Sequence, residues 1–182
     1  MPNEDLFLHL SSDPVLYLPG WAMDHRLMMW LGIGDKGWIL KRSRPLSFEE
    51  EILSFLQRHS IKKIDLVGLS LGGYLALDFA TRYPDRVSTL TVIGLRPSYP
   101  SLVIRKVRQT LKKKGGEYLM DFYGACMESH FDRFTQDLGL SYAQDQCQDM
   151  QGLNEGLDYL EKVNLTVDHL KAIPSLTMIH GE

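Results

Sequence analysis

Apolar and polar positions in the first half of the chain fall into two alternating rhythms. Val15 to Leu18 is a short apolar run closed by Pro19-Gly20, and Trp38 to Leu40, Ile64 to Leu69 and Val87 to Ile93 repeat its form, so each predicts a strand. Between the runs the spacing becomes helical. Asp24 can cap a helix with Leu27, Met28 and Leu31 on one face. Ser47-Phe48-Glu49-Glu50 reads as a capping box ahead of the stripe Phe48, Ile52, Phe55 and Leu56, and Arg58 and His59 suit the negative C-terminal end of that helix. After Ser70, the residues Leu75, Ala76, Phe79, Ala80 and Tyr83 mark the buried side of a third helix, stopped by Pro84.

Strand and helix in this alternation predict a parallel sheet, because parallel neighbours need a crossover and right-handed crossovers lay their helices on the sheet faces. The rhythm stops at Pro97. From there to about Asn164 the chain is polar, interrupted by glycine and helical in pattern, with no strand signal. A short helix from Asp168 to Ala172, then Pro174 and a strand from Leu176 to His180, resume the first rhythm. The fold class expected is α/β, a mostly parallel sheet with helices on both faces. Residues 1–96 form the first part of the core, 97–164 a helical insertion, and 165–182 the core resuming.

A chain of 182 residues, 44% hydrophobic and 24% charged, suits one soluble globular domain. Its apolar runs fall well short of a membrane helix, and Met-Pro-Asn-Glu-Asp is no signal-peptide start, so a cytoplasmic location is expected. Cys126 and Cys147 suggest two thiols in a reducing compartment rather than a disulfide. Cys126 and His130 share i,i+4 spacing, but no second ligand pair follows, and neither metal nor cofactor is expected.

The net charge of -3 argues against nucleic-acid binding, yet the charge is uneven. Arg105, Lys106, Arg108, Lys112, Lys113 and Lys114 form a run without an acid. Such a run is either a solvated helix face or a docking surface for an acidic partner protein.

The strand ending at Leu69 meets the next helix through Gly68-Leu69-Ser70-Leu71-Gly72. A serine on a tight strand-to-helix turn needs small neighbours two residues to either side, and both are glycine here. That context makes Ser70 the candidate nucleophile, against the plainer reading of an ordinary turn. A serine hydroxyl needs a base and donors for the oxyanion formed on attack. The amide of Leu71, at the helix N-terminus, is one candidate donor. The amide of Trp21, in the loop Pro19-Gly20-Trp21-Ala22-Met23 after the first strand, is the other, although Trp21 could be simple core.

These residues resemble the α/β-hydrolase family. More narrowly, the sequence is similar to the pimeloyl-acyl-carrier-protein methyl ester esterases of biotin synthesis. The likeness rests on Leu18-Pro19-Gly20-Trp21, on Gly68 to Gly73 with Ala80-Thr81-Arg82-Tyr83-Pro84, and on Gly156-Leu157-Asp158-Tyr159-Leu160 leading through Leu165, Leu170 and Pro174 to His180-Gly181. It implies a serine esterase working through an acyl-enzyme. It also implies a lid in which Tyr118, Phe122 and Tyr123 wall an acyl channel and Phe122, Tyr123, Gly124, Ala125 and Cys126 form the substrate-contacting segment; Phe122 equally fits plain helix packing.

Two departures stand out. Pro19-Gly20 replaces the family's His-Gly, and the loop Lys41 to Pro45 is shorter than the family's. In the family the acid of the triad follows the strand ending at His180-Gly181-Glu182, and the histidine comes later still. His130, His169 and His180 are poor substitutes in position. The expectation is therefore an N-terminal fragment of a longer reading frame, with little activity of its own. A general carboxylesterase, a thioesterase, a C–C bond hydrolase, or a non-catalytic binding protein of the same fold are the competing readings.

Overall fold

The computed structural model describes residues 6–11, 13–171, 173 and 175–180. Of the sequence expectations, those on Ala172, Pro174, Gly181 and Glu182, and on the side chain of His169, lie outside what is described. The chain falls into two compact units, residues 1–98 with 163–182, and residues 99–162.

The first unit runs β1 (Phe7–His9), β2 (Val15–Leu18), α1 (His25–Trp30), β3 (Trp38–Leu40), α2 (Phe48–Arg58), β4 (Ile64–Leu69), α3 (Leu71–Arg82) and β5 (Val87–Ile93). The second contributes α4 (Ser101–Lys114), α5 (Gly116–Met127), α6 (Phe131–Asp137), α7 (Gly139–Cys147) and α8 (Met150–Leu160). The first unit then resumes with α9 (Val167–Lys171) and β6 (Leu176–Ile179), one residue shorter than the expected strand.

The six described strands form one sheet in the order β1-β3-β2-β4-β5-β6. All neighbours are parallel except β1, which runs antiparallel to β3 and carried no alternation long enough to be read from sequence. The parallel core buries Leu16, Leu18, Ile39, Leu66 and Leu90 completely. The chain leaves β2 toward β3 on one side and returns to β4 on the other. The carboxyl ends of β2 and β4 therefore flank a topological switch point, where open α/β sheets place their sites.

Helix α2 buries Phe48, Ile52, Phe55 and Leu56, as its stripe predicts. Its capping box does not form. The Ser47 hydroxyl makes no cap bond and instead donates to Glu51 Oε1 at 2.5 Å, because Glu51 lies on the buried side of the first turn, where its carboxylate needs a donor more than the helix end does. At α1, Asp24 does cap, accepting from the Arg26 amide at 2.9 Å, whereas Leu31 ends the helix at 39% exposure instead of joining its buried face. Tyr83 likewise lies one residue past α3, with its hydroxyl donating to Glu49 Oε1.

Burial pushes the Glu51 carboxyl above its ordinary value, with the Ser47 bond and Arg44 opposing. A carboxyl raised on folding is at no disadvantage below its unfolded pKa and becomes destabilising as pH rises through the folded one. Glu51→Gln should therefore raise Tm at pH 7 and change it little near pH 4. An equal rise at both pH values would assign the gain to something other than the buried charge.

The helical unit is built on an aromatic centre. Tyr123, Phe134 and Tyr142 are essentially buried, with the Tyr123 ring 5.1 Å from Phe134 and 5.6 Å from Tyr142. Helix α4 turns Ile104 and Leu111 inward and ties to α8 through Arg108, which donates to Asn154 Oδ1 at 2.8 Å and Asp158 Oδ1 at 2.7 Å. Among the described residues no helix is long and apolar enough to cross a membrane, and no cluster of side chains could hold a metal ion.

The two connections to the helical unit are joined on the side of the first unit. Ser98 and Asn164 form an antiparallel bridge, and the Leu165 amide donates to the Pro97 carbonyl at 2.8 Å.

Candidate active site

Ser70 links β4 to α3 with φ 50° and ψ -115°, a region an L-residue enters only against steric cost. The surroundings enforce it. The Ser70 amide donates to Ile93 O at 2.8 Å, tying the turn to the end of β5, and its carbonyl accepts from Gly73 N at 2.8 Å and Tyr74 N at 3.2 Å to open the helix. The side chain makes no cap bond, so the hydroxyl is not spent on the helix it precedes.

The glycines explain why such a tight turn is possible. A Cβ at Gly68 would lie 2.5 Å from Gly73 Cα, and one at Gly72 would lie 2.6 Å from Pro19 O and overlap the Leu18 carbonyl oxygen. Gly72 thus lets the start of α3 press against the end of β2. That contact brings the loop after β2 to the serine, and a Cβ built on Gly20 would be 3.4 Å from Ser70 Cβ.

Several bonds hold this loop, and none of them was legible in the sequence. Ser43 Oγ donates to Pro19 O at 2.6 Å, the Met23 amide donates to Gly20 O at 3.2 Å, and Ala22 takes φ 56°. Behind the turn, the Tyr74 hydroxyl donates to Arg96 O at 2.6 Å and accepts from Arg96 N at 2.7 Å, pinning the chain just after β5. A non-glycine at positive φ and a tyrosine bonded to backbone leave no composition signal.

Leu71 and Trp21 are both buried, at 1% and 6% exposure. Leu71 is the first residue of α3, where a helical amide has no carbonyl one turn back to bond. The local electrostatics favour an anion at that end. Among the described residues no imidazole hydrogen-bonds the Ser70 hydroxyl: His130 Nδ1 lies 3.2 Å from Ser129 Oγ in the helical unit, and His180 is exposed just after β6.

The sequence-named segment of the helical unit divides. Tyr123 is a core residue there, 0% exposed, so its ring is committed to Phe134 and Tyr142 and cannot wall a channel, a correction that follows from its place on the inner side of α5. Phe122 and Gly124 are half-buried, and Ala125 and Cys126 are exposed; Tyr118 is half-buried, and burial pushes its hydroxyl pKa up. In the basic run, Arg108 is bonded to α8 and Lys114 Nζ lies 3.4 Å from Asp121, while Arg105, Lys106, Lys112 and Lys113 are exposed on α4.

A family model described as the alpha/beta hydrolase fold matches residues 32–145, more than half of the chain. The chain belongs to the α/β-hydrolase family. Solved structures agree with this α/β-hydrolase fold at identities that speak to fold alone. The enol-lactonase of Burkholderia xenovorans LB400 superposes with TM-score 0.69 at 13% identity, over 94% of this chain and 84% of that one. A thermophilic esterase from Thermogutta terrifontis gives 0.69 at 16% identity over 96% and 83%. A metagenomic α/β-hydrolase from the Medee basin gives 0.68 at 14% identity over 94% and 72%. A curated relative in Bacillus subtilis strain 168, provisionally named 2-succinyl-6-hydroxy-2,4-cyclohexadiene-1-carboxylate synthase, is 35% identical over 78 residues, which is 43% of this chain and only 27% of the relative's length.

The strain at Ser70 has a measurable consequence. Ser70→Gly should be more stable than Ser70→Ala by about 1 kcal/mol, since glycine relieves the positive φ but adds unfolded-state entropy. Chemical denaturation of the two variants checks this. Equal stabilities would mean that the strain is no larger than the entropy cost of glycine.

Proposed function

We propose that this α/β-hydrolase is a serine ester hydrolase with Ser70 as nucleophile. Ser70 Oγ attacks the ester carbonyl carbon, the carbonyl oxygen takes the electron pair as an oxyanion, and the amides of Trp21 and Leu71 hold it. Collapse breaks the carbon–oxygen bond to the alcohol, which leaves with a proton, and water then releases the acid from the acyl-enzyme. The single observation that carries this reading is the Ser70 backbone, φ 50° and ψ -115°, at the head of α3 and beside the Gly20 loop. The favoured substrate is a pimeloyl-carrier-protein methyl ester, on the strength of the sequence resemblance.

Acylation is the test. After incubation with a p-nitrophenyl acyl ester, intact-mass and peptide analysis should place one acyl group on Ser70. An acyl group found only on lysines, or none at all, would sink the nucleophile.

The exposed cations of α4 support docking of an acidic carrier. Lys112→Glu with Lys113→Glu should raise KM for a carrier-bound ester by at least about 10-fold at low salt and leave a small ester unaffected. Equal changes for both substrates would rule docking out. A second reading, favoured by the Bacillus subtilis match, is the synthase chemistry of that relative, in which Ser70 would serve the formation of a cyclohexadiene carboxylate. Supplying both substrate classes to the same preparation separates the two.

A further inference from the structure

The chain leaving β5 runs alongside the first turn of α3, and three contacts tie the two together. The Ser70 amide donates to Ile93 O at 2.8 Å. Next along both segments, Gly73 meets Leu95 so closely that a Cβ on the glycine would lie 2.8 Å from Leu95 Cδ2. Beyond that, the Tyr74 hydroxyl donates to Arg96 O at 2.6 Å and accepts from Arg96 N at 2.7 Å. Leu95 and Tyr74 are both buried, and the Gly94 amide ties the same stretch to β6 by donating to Ile179 O at 2.9 Å.

These contacts differ in what they resist. Two main-chain segments joined by one hydrogen bond can still pivot about it. The bond at Ser70 is such a joint, and it holds a residue at φ 50° and ψ -115°, a conformation that persists only where the surroundings over-determine it. A second polar tie, one helical turn away, stops the pivot. The Tyr74 amide donates to Ser70 O at 3.2 Å, so the residue that holds Arg96 by its side chain holds Ser70 by its backbone.

A tyrosine suits this task. Its hydroxyl lies on the ring axis, so no torsion beyond χ1 and χ2 moves the oxygen, and fixing the oxygen restrains the Cα. The hydroxyl spends its proton on the carbonyl and a lone pair on the amide of one residue, which limits the placements of Arg96 that satisfy both.

We infer that Tyr74 is a positioning residue for the Ser70 nucleophile: its hydroxyl holds the first turn of α3 against the end of β5, and with it Ser70 Oγ and the Leu71 amide. The inference rests on Ser70 being the nucleophile, as proposed above. Tyr74 acts through the turn and touches no reacting atom. A small displacement of the turn penalises the bond-forming step, which needs the reacting atoms close and aligned, and leaves the binding of the ester unchanged.

Tyr74→Phe removes one oxygen and keeps the buried ring. In the full chain, the maximal rate of Ser70 acylation by a p-nitrophenyl ester should fall about 10-fold, while the ester concentration giving half that rate stays within about 2-fold. Tyr83→Phe is the control, since it removes a hydroxyl bonded to Glu49 at the far end of the same helix and should leave both quantities unchanged. Amide hydrogen exchange adds a readout that needs no turnover. The acceptor of the Ser70 amide is untouched by Tyr74→Phe, yet that amide should speed up at least about 10-fold more than the Leu66 amide in the middle of β4. If Tyr74→Phe does not fold, 3,5-difluorotyrosine in place of Tyr74, a poorer acceptor for the Arg96 amide, should shift both readouts in the same direction by at least about 2-fold.

Equal acceleration at Ser70 and Leu66 would reveal a general loss of stability and overturn the inference. A wild type acylated at Ser70 beside an equally reactive, folded variant overturns the inference alone. A wild type with no acyl group on Ser70 overturns the nucleophile, and the positioning role with it.

Discussion

Ser70→Ala is expected to give a folded protein that no longer takes up an acyl group from an activated ester. The substitution removes only the hydroxyl. Alanine keeps the backbone of the turn, and the Ser70 side chain contributes no cap bond to α3, so the helix loses nothing. What disappears is the atom that would form the new bond to carbon. Any ester turnover that depends on the acyl-enzyme should fall at least about 100-fold, since the oxyanion donors alone sustain only a small residual rate. Parallel intact-mass and rate measurements on the wild type and the variant decide the matter. Retained acylation at another serine would move the nucleophile away from the β4–α3 turn.

Gly72→Ala should be the most damaging single methyl in the molecule. Its Cβ would overlap the Leu18 carbonyl oxygen and lie 2.6 Å from Leu18 C and Pro19 O, all backbone of the central strand β2 and its loop. No side chain can rotate to make room, and the start of α3 must move off the sheet. A loss of about 4 kcal/mol or more is expected, at the severe end of point substitutions. Gly124→Ala is the contrast. There the new methyl would sit 3.6 Å from the Phe131 ring, an ordinary contact, and removing a glycine from the middle of α5 should be neutral or stabilising by up to about 1 kcal/mol. Denaturant midpoints of the two variants should move in opposite directions or differ by most of the stability of the protein. A well-folded Gly72→Ala would mean that β2 and α3 are not packed as closely as described.

The elements with a strong period were legible from residues alone. Val15–Leu18, Trp38–Leu40, Ile64–Leu69 and Val87–Ile93 were each readable to the residue, because a strand of a parallel core is short, dense in Ile, Leu and Val, and bounded by turn or charged residues. The stripe of α2 was legible for the same kind of reason. Phe7–His9 was not, since three residues at a sheet edge carry no usable alternation. The capping box failed because Glu51, one position beyond the motif, competes for the same hydroxyl. At the site, Ser70 and its glycines were legible because steric crowding restricts which residues fit. The supports Ser43, Tyr74 and Arg96 were not, because each acts through a bond between segments more than twenty residues apart, and such bonds leave no local pattern. Tyr123 shows the converse error: an aromatic in the expected stretch of the insertion, but placed by the helical period of α5 on the inner face.

The bridge between Ser98 and Asn164 gives the intervening segment the character of an interchangeable cassette. Its point of departure and its point of return are neighbours, already hydrogen-bonded to each other within the sheet-bearing unit. Residues between them can therefore be lengthened, shortened or exchanged for an unrelated sequence without altering the register of any of the strands. Such an arrangement lets one sheet-bearing framework carry different inserted units by changing what is spliced into a single loop.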